Sequence, residues 1–234
     1  MPAGRGWAWI AEGFALFGRS PGIWILTYLL FGVISSAISF LPLVSIATYV
    51  ISPIFVGGLM LGCERLDQGH NFEVRDLFAG FSTNGGKLAG VGGLFLGGML
   101  LILGVVLMIL LPTAVLPALG QLGHGPPPSS AIIGVLIGVI VSLLLLVPLL
   151  MAVWLAPALI VFHDVEIMDS LLLSFRAGVR NGWPLTVYGL AMLVLMLLGV
   201  LPLLLGLLVV GPLTFTSTYA AYRDIFAVEA DAAP

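Results

Sequence analysis

The sequence predicts an all-α polytopic membrane bundle: six transmembrane helices, with short interfacial helices on the cytoplasmic side. Three observations carry this. Hydrophobic residues make up 60% of the 234-residue chain and charged residues 8%, against roughly 45–50% and about 25% in soluble domains. Six apolar runs reach the length of about 20 residues that a bilayer span needs. Every charged residue falls in segments that six spans place on one side of the membrane.

The spans run at about 22–41, 43–64, 87–111, 136–162, 183–200 and 203–222. They are continuous rather than alternating, which excludes a barrel. Lipid offers backbone N–H and C=O groups no partner, so each must be helical. The first run is read as a retained span, because Trp7, Trp9 and Phe14 precede it in place of a simple basic region. Pro42 and Pro202 sit in short breaks and predict tight hairpins. The stretch from Pro112 to Ser130, with Pro117, Gly120, Gly123, Gly125 and Pro126-Pro127-Pro128, reads as loop.

The eight basic residues are Arg5, Arg19, Arg65, Arg75, Lys87, Arg176, Arg180 and Arg223. They and the eleven acids lie in the N-terminal segment, the 64–87 link, the 163–182 link or the C-terminal tail. The three opposite loops carry none. The positive-inside rule then puts both termini in the cytoplasm.

The cytoplasmic links predict amphipathic helices at about 7–18, 73–82 and 167–178. Val74, Leu77, Phe78 and Phe81 fall at i, i+3, i+4, i+7, as do Met168, Leu171, Leu172 and Phe175; Ile10, Gly13, Phe14 and Phe17 repeat the spacing with one glycine. Each precedes a breaker cluster and then two spans, the second holding a proline: Pro53, Pro157 (or Pro148) and Pro212. Residues 1–234 therefore read as one membrane domain of three helix-plus-hairpin units, about 6–66, 72–163 and 166–226, with pseudo-threefold character broken by a longer middle unit. On this reading Phe81→Asp weakens membrane packing more than Asp76→Ala.

The phrases Pro53-Ile-Phe-Val-Gly-Gly-Leu-Met-Leu-Gly-Cys63, Asp76-Leu-Phe-Ala-Gly-Phe81, Ala156-Pro-Ala-Leu-Ile-Val-Phe162 and Tyr222-Arg-Asp-Ile-Phe226 resemble those of an uncharacterised bacterial six-span inner-membrane family, a domain of unknown function. The chain is also distantly similar to the membrane domain attached to some glycerophosphodiesterases. The resemblance implies a multi-pass protein of the bacterial inner membrane and supplies no catalytic residue.

The site inventory is thin. No ionisable residue lies mid-span, which disfavours a proton-coupled carrier and leaves transport of a neutral or lipid-like solute. Span six is unusually polar: Thr214, Thr216, Ser217, Thr218 and Tyr219 are candidate lining of a solute face beside the Pro212 break, with helix packing as the competing reading. Arg19, Lys87, Arg176 and Arg180 flank the interfacial helices and are candidate contacts for anionic lipid headgroups. His163-Asp164, with His70 and Glu73, suggests a metal or acid–base site, but lacks the further ligands such a site needs; no catalytic, cofactor or metal residue is assigned. Gly90, Gly93 and Gly97, and Gly134 with Gly138, predict close helix packing. A net charge of −3 argues against nucleic acid. The expected partners are membrane lipids, with a protein partner or a second copy left open.

Two function classes follow. The favoured one is a non-enzymatic transporter or scaffold in envelope or lipid maintenance. The alternative is a membrane enzyme acting on lipid headgroups at the cytoplasmic face through His163 and Asp164. The charge map generates the first test. A cytoplasm-only reporter fused after Ala233 should be active, and an exterior-only reporter inserted near Gly125 should be active; the reverse at either site overturns the count or the orientation.

Overall fold

The computed structural model describes residues 1–39, 45–120 and 129–227, and those residues are almost entirely helical. The chain opens with α1 (Arg5–Phe17), α2 (Pro21–Ser39) and α3 (Ser45–Asp67). A 3₁₀ turn over Val74–Phe78 and α4 (Ala79–Thr83) lead into α5 (Gly85–Leu110). A π-turn over Leu111–Val115 joins α6 (Leu116–Gly120); then come α7 (Ser129–Trp154), α8 (Ala156–His163), α9 (Ile167–Arg180), α10 (Gly182–Val200), α11 (Leu207–Tyr222) and a π-turn over Arg223–Ala227. Five of these stretches are long and apolar enough to cross a membrane: Pro21–Ile38, Ser45–Asp67, Gly85–Val115, Ser129–His163 and Gly182–Val200. The sixth expected span corresponds to α11, which has 16 residues.

Two boundaries differ from expectation. Pro112 does not end the third span in a loop; the chain stays helical to Gly120. The proline ring would strike the carbonyl of Met108 in a regular α-helix, and widening one turn to π accommodates it. Thr113 fills the widened turn, donating to the Ile109 carbonyl at 2.6 Å. Beyond Pro202 the chain turns through Leu203 and Leu204, both in the left-handed region at φ 53° and 69°, so α11 starts four residues later than the apolar run. The Pro42 hairpin, the loop segment 121–128 (His124 included) and the tail 228–234 lie outside the described residues.

The two expected interfacial helices α1 and α9 form, while the middle one is a 3₁₀ turn plus a single α-turn. Each packs on a long helix from elsewhere in the chain: α1 on α11, the 74–83 segment on α3, and α9 on α7 and α8. The contact residue lies seven positions before the breaker in each case. Gly13 (before Ser20) meets Ser217, where an added Cβ would come within 2.6 Å of the serine backbone. Leu77 (before Asn84) meets Gly58 at 2.6 Å by the same measure. Ser174 (before Asn181) enters the break between α7 and α8, donating to the Met151 carbonyl at 2.7 Å and accepting the Leu155 N–H at 3.0 Å. One hydroxyl thus replaces the Met151–Leu155 helical bond. Ser20, Asn84 and Asn181 then start the next helix alike, their carbonyls accepting from Trp24, Leu88 and Leu185 at 3.1, 3.0 and 2.9 Å.

The protein-facing strip of α9 is small and polar: Ser170, Ser174, Ala177 and Gly178 are buried. Its predicted apolar edge, Met168 and Leu172 included, points outward, which suits a helix lying between protein and lipid. Of the glycines expected to pack helices, Gly134 seats against Thr113 and Gly138 against Leu110, but Gly93 and Gly97 have no neighbour; Gly92 instead approaches the Tyr49 carbonyl, at 2.5 Å from an added Cβ.

The core lies at the charged end. Trp9, Trp24, Phe55, Met60, Cys63, Phe72, Leu77 and Leu155 are buried in one cluster, and Trp24 stacks on Phe72 with ring centroids 4.0 Å apart. Along α5 and α7 most large side chains, such as Leu101, Met108, Leu136 and Leu144, face outward, as expected where the solvent is hydrocarbon.

Asp76 and Phe81 sit in opposite settings. Asp76 is 4% exposed, pairs with Arg65 and accepts the Glu73 N–H at 2.8 Å, whereas Phe81 is 48% exposed. Asp76→Ala should cost about 2–3 kcal/mol, by removing the closer partner of Arg65 and leaving the Glu73 N–H unpaired; Phe81→Ala should cost about 1 kcal/mol or less. Unfolding in mild detergent decides the order.

Candidate functional site

Prolines break the helical ladder in α3 and at the start of α8. Having no N–H, Pro53 and Pro157 cannot bond the carbonyls of Tyr49 and Val153 four residues earlier. Those four residues share one cavity of about 440 Å³ between α3, α5, the end of α7, α8 and α11, with Thr48, Ser52, Thr214, Thr218 and Trp154 as its other polar members. Val56, Met60, Phe95 and Phe215 supply apolar wall. Among the described residues no Asp, Glu, Lys, Arg or His lines it.

The hydroxyls divide into two kinds. Thr214 donates to the Val210 carbonyl at 3.0 Å and Thr218 to the Thr214 carbonyl at 2.8 Å, and the Trp154 indole N–H reaches Thr218 Oγ1 at 3.4 Å. Thr48 Oγ1 is buried with no hydrogen-bond partner among the described residues. A buried unpartnered hydroxyl costs free energy unless a guest or water bonds it. The cavity can therefore bond a neutral ligand carrying hydroxyl, ester or amide groups, and its walls can hold an apolar body.

The other candidate lining residues point elsewhere. Thr216 and Ser217 are wholly buried; Ser217 bonds the Leu213 carbonyl at 2.6 Å and the Tyr188 hydroxyl at 3.0 Å, inside the α1–α10–α11 packing. Tyr219 lines a separate small pocket of about 140 Å³ with Glu12, Arg19, Asp67 and Arg223, and donates to Asp67 at 3.4 Å. Thr48 and Ser52, the cavity's other hydroxyls, were not singled out from sequence; their signal was Pro53, which marks the turn before it.

At the charged end most cations are held internally. Asp224 accepts Arg5 Nε at 2.8 Å and the Trp9 indole N–H at 2.7 Å on one oxygen, and pairs with Arg5 Nη2 at 2.7 Å through the other. This hydrogen bonding raises the Arg5 pKa above its usual value. Arg223 bridges Asp67 at 2.7 Å and Glu12 at 3.2 Å. Arg19 caps α3 by donating to the Leu66 carbonyl at 2.7 Å, and Lys87 pairs with Asp164 at 3.0 Å and Glu166 at 2.9 Å. Of the four candidate headgroup contacts, Arg19 and Lys87 are thus occupied within the chain. Arg176 and Arg180 line a pocket of about 620 Å³ between α9 and the 223–227 turn.

His163 bonds the Tyr222 hydroxyl through Nε2 at 2.7 Å, and its neighbour Asp164 is engaged by Lys87. Among the described residues no three His, Cys, Asp or Glu side chains gather as a metal-holding group.

No protein-family model matches the chain, and no solved structure matches it. It is similar to a probable inner membrane protein of Burkholderia thailandensis, 26% identical over 264 positions that span all of this chain and 95% of that protein. With five helices fit to cross a bilayer and this likeness along its whole length, the chain is a multi-pass membrane protein.

Proposed function

We propose that this chain is a non-enzymatic, six-span component of the bacterial inner membrane with both termini in the cytoplasm. In this reading it serves envelope or lipid maintenance, as a transporter or a scaffold, by taking a neutral, lipid-like solute into the proline-lined cavity. The single observation that carries it is the cavity's chemistry: a Thr48 hydroxyl without a partner among the described residues, beside two prolines and within apolar walls, with no Asp, Glu, Lys, Arg or His among the described lining residues. A charged substrate would find no counter-charge there.

The sixth span is α11. Its 16 residues reach only about 24 Å, but it is sheathed by α1, α2, α3 and α10, so it need not match the hydrocarbon thickness alone. The contacts of α1, the 74–83 segment and α9 support three helix-plus-hairpin units closing into an approximate threefold ring.

A photoreactive diacylglycerol, as a neutral amphiphile, tests the cavity in native membranes. It should label peptides containing Ser52 and Thr214, and Thr48→Phe with Thr214→Phe, which fill the space, should abolish that labelling while sparing the outward-facing Leu193 on α10. Unchanged labelling after filling, or labelling at outward positions alone, contradicts the reading.

A further inference from the structure

The pocket beside α9 joins two arginines to apolar walls. Arg176 and Arg180, one helical turn apart, stand at its rim, and Leu173, Phe175, Val179 and Phe226 make its walls. An adjoining hollow of about 360 Å³ shares Arg180 and continues past Trp183 and Thr186 into the first turn of α10. Among the described residues neither space has an aspartate or glutamate in its lining.

The charge accounting sets Arg176 apart. Arg5, Arg65, Arg75, Lys87 and Arg223 each face a carboxylate, and Arg19 faces carbonyls. Arg176 has no such partner among the described residues, in a chain whose net charge is −3. The position is where α9 ends and α10 enters the bilayer, and Trp183 there is 78% exposed, as an aromatic anchor at the headgroup level would be. Cations at a rim, apolar walls below and an interfacial tryptophan complement an amphiphilic anion. A free phosphate would use the arginines but would gain nothing from Leu173, Phe175 and Phe226.

We infer that this pocket is a binding site for an anionic phospholipid, with the phosphodiester between Arg176 and Arg180 and the acyl chains against Leu173, Phe175 and Phe226. The site is separate from the intramembrane cavity and does not rest on that cavity's occupant.

Native mass spectrometry of the full chain tests it, with phosphatidylglycerol and phosphatidylcholine of matched acyl chains as probes. The wild type should retain phosphatidylglycerol preferentially. Arg176→Gln and Arg180→Gln should each lower that retention by roughly fivefold, and the phosphatidylcholine signal should not move. Arg75→Gln, at an exposed cation elsewhere on the same face, should leave retention unchanged, and unfolding in lipid-free detergent should be the same for all variants. Millimolar inorganic phosphate should not displace the lipid. Equal retention of the two lipids, no loss in the arginine double variant, or an equal loss in Arg75→Gln would each overturn the inference; displacement by phosphate would assign the pocket to a free anion and overturn the lipid.

Discussion

The clasp on Asp224 joins the two ends of the chain, and the bundle depends on it. One carboxylate takes the side of the Arg5 guanidinium and the indole of Trp9. One face along, Gly13 lets α1 lie against the backbone of α11 at Ser217. Lipid provides no hydrophobic drive to bring helices together, so close backbone approach and polar contacts must hold them. Both are concentrated at the charged end, where the ion pairs of Arg5, Arg223, Arg65 and Lys87 lie over the buried aromatic cluster. Toward the opposite end α5 and α7 rely on Gly134 and Gly138, and their other faces are left to hydrocarbon.

The same scarcity of partners explains where the helices break. An interrupted helix inside a membrane is tolerable only where protein or a cavity meets the freed groups. The α7–α8 break is met by the Ser174 hydroxyl, which bonds both members of the missing pair. The π-turn at Pro112 carries a hydroxyl bond of its own, from Thr113 to the Ile109 carbonyl. Pro53 and Pro157 instead line the cavity that holds the unpartnered Thr48 hydroxyl.

Much of the architecture was legible in the sequence, because lipid imposes a simple code of apolar length and sided charge. The five clear spans, α1 and α9 all follow from it. Hydropathy misjudged the chain where apolar content and conformation part company. Leu203 and Leu204 are as apolar as any span residue yet sit in a left-handed turn, and Pro112 and Pro117 look like loop yet ride a widened helix. The outward face of α9 could be read from periodicity. Its inward face could not, since Ser174 acts through a helix break that no local pattern announces. At the site, the polarity of span six drew attention to Thr214 and Thr218, which line the cavity, and equally to Thr216 and Ser217, which pack. Only the neighbouring helices separate them. Thr48 and Ser52 lay in an ordinary-looking span, and the offset from Pro53 was their one signal.

The central claim is that the chain returns to the side of the membrane from which it started, so that α1 and the end of α11 close a ring. Cysteines at Glu12 and Arg223, whose native side chains pair at 3.2 Å, test this in intact membranes once Cys63 is replaced by alanine. A short thiol-reactive cross-linker should join the two positions within one chain, and an impermeant thiol reagent should reach both from the same face. If the pair stays unlinked and the two cysteines are labelled from opposite faces, the number of spans is odd and the ring does not exist.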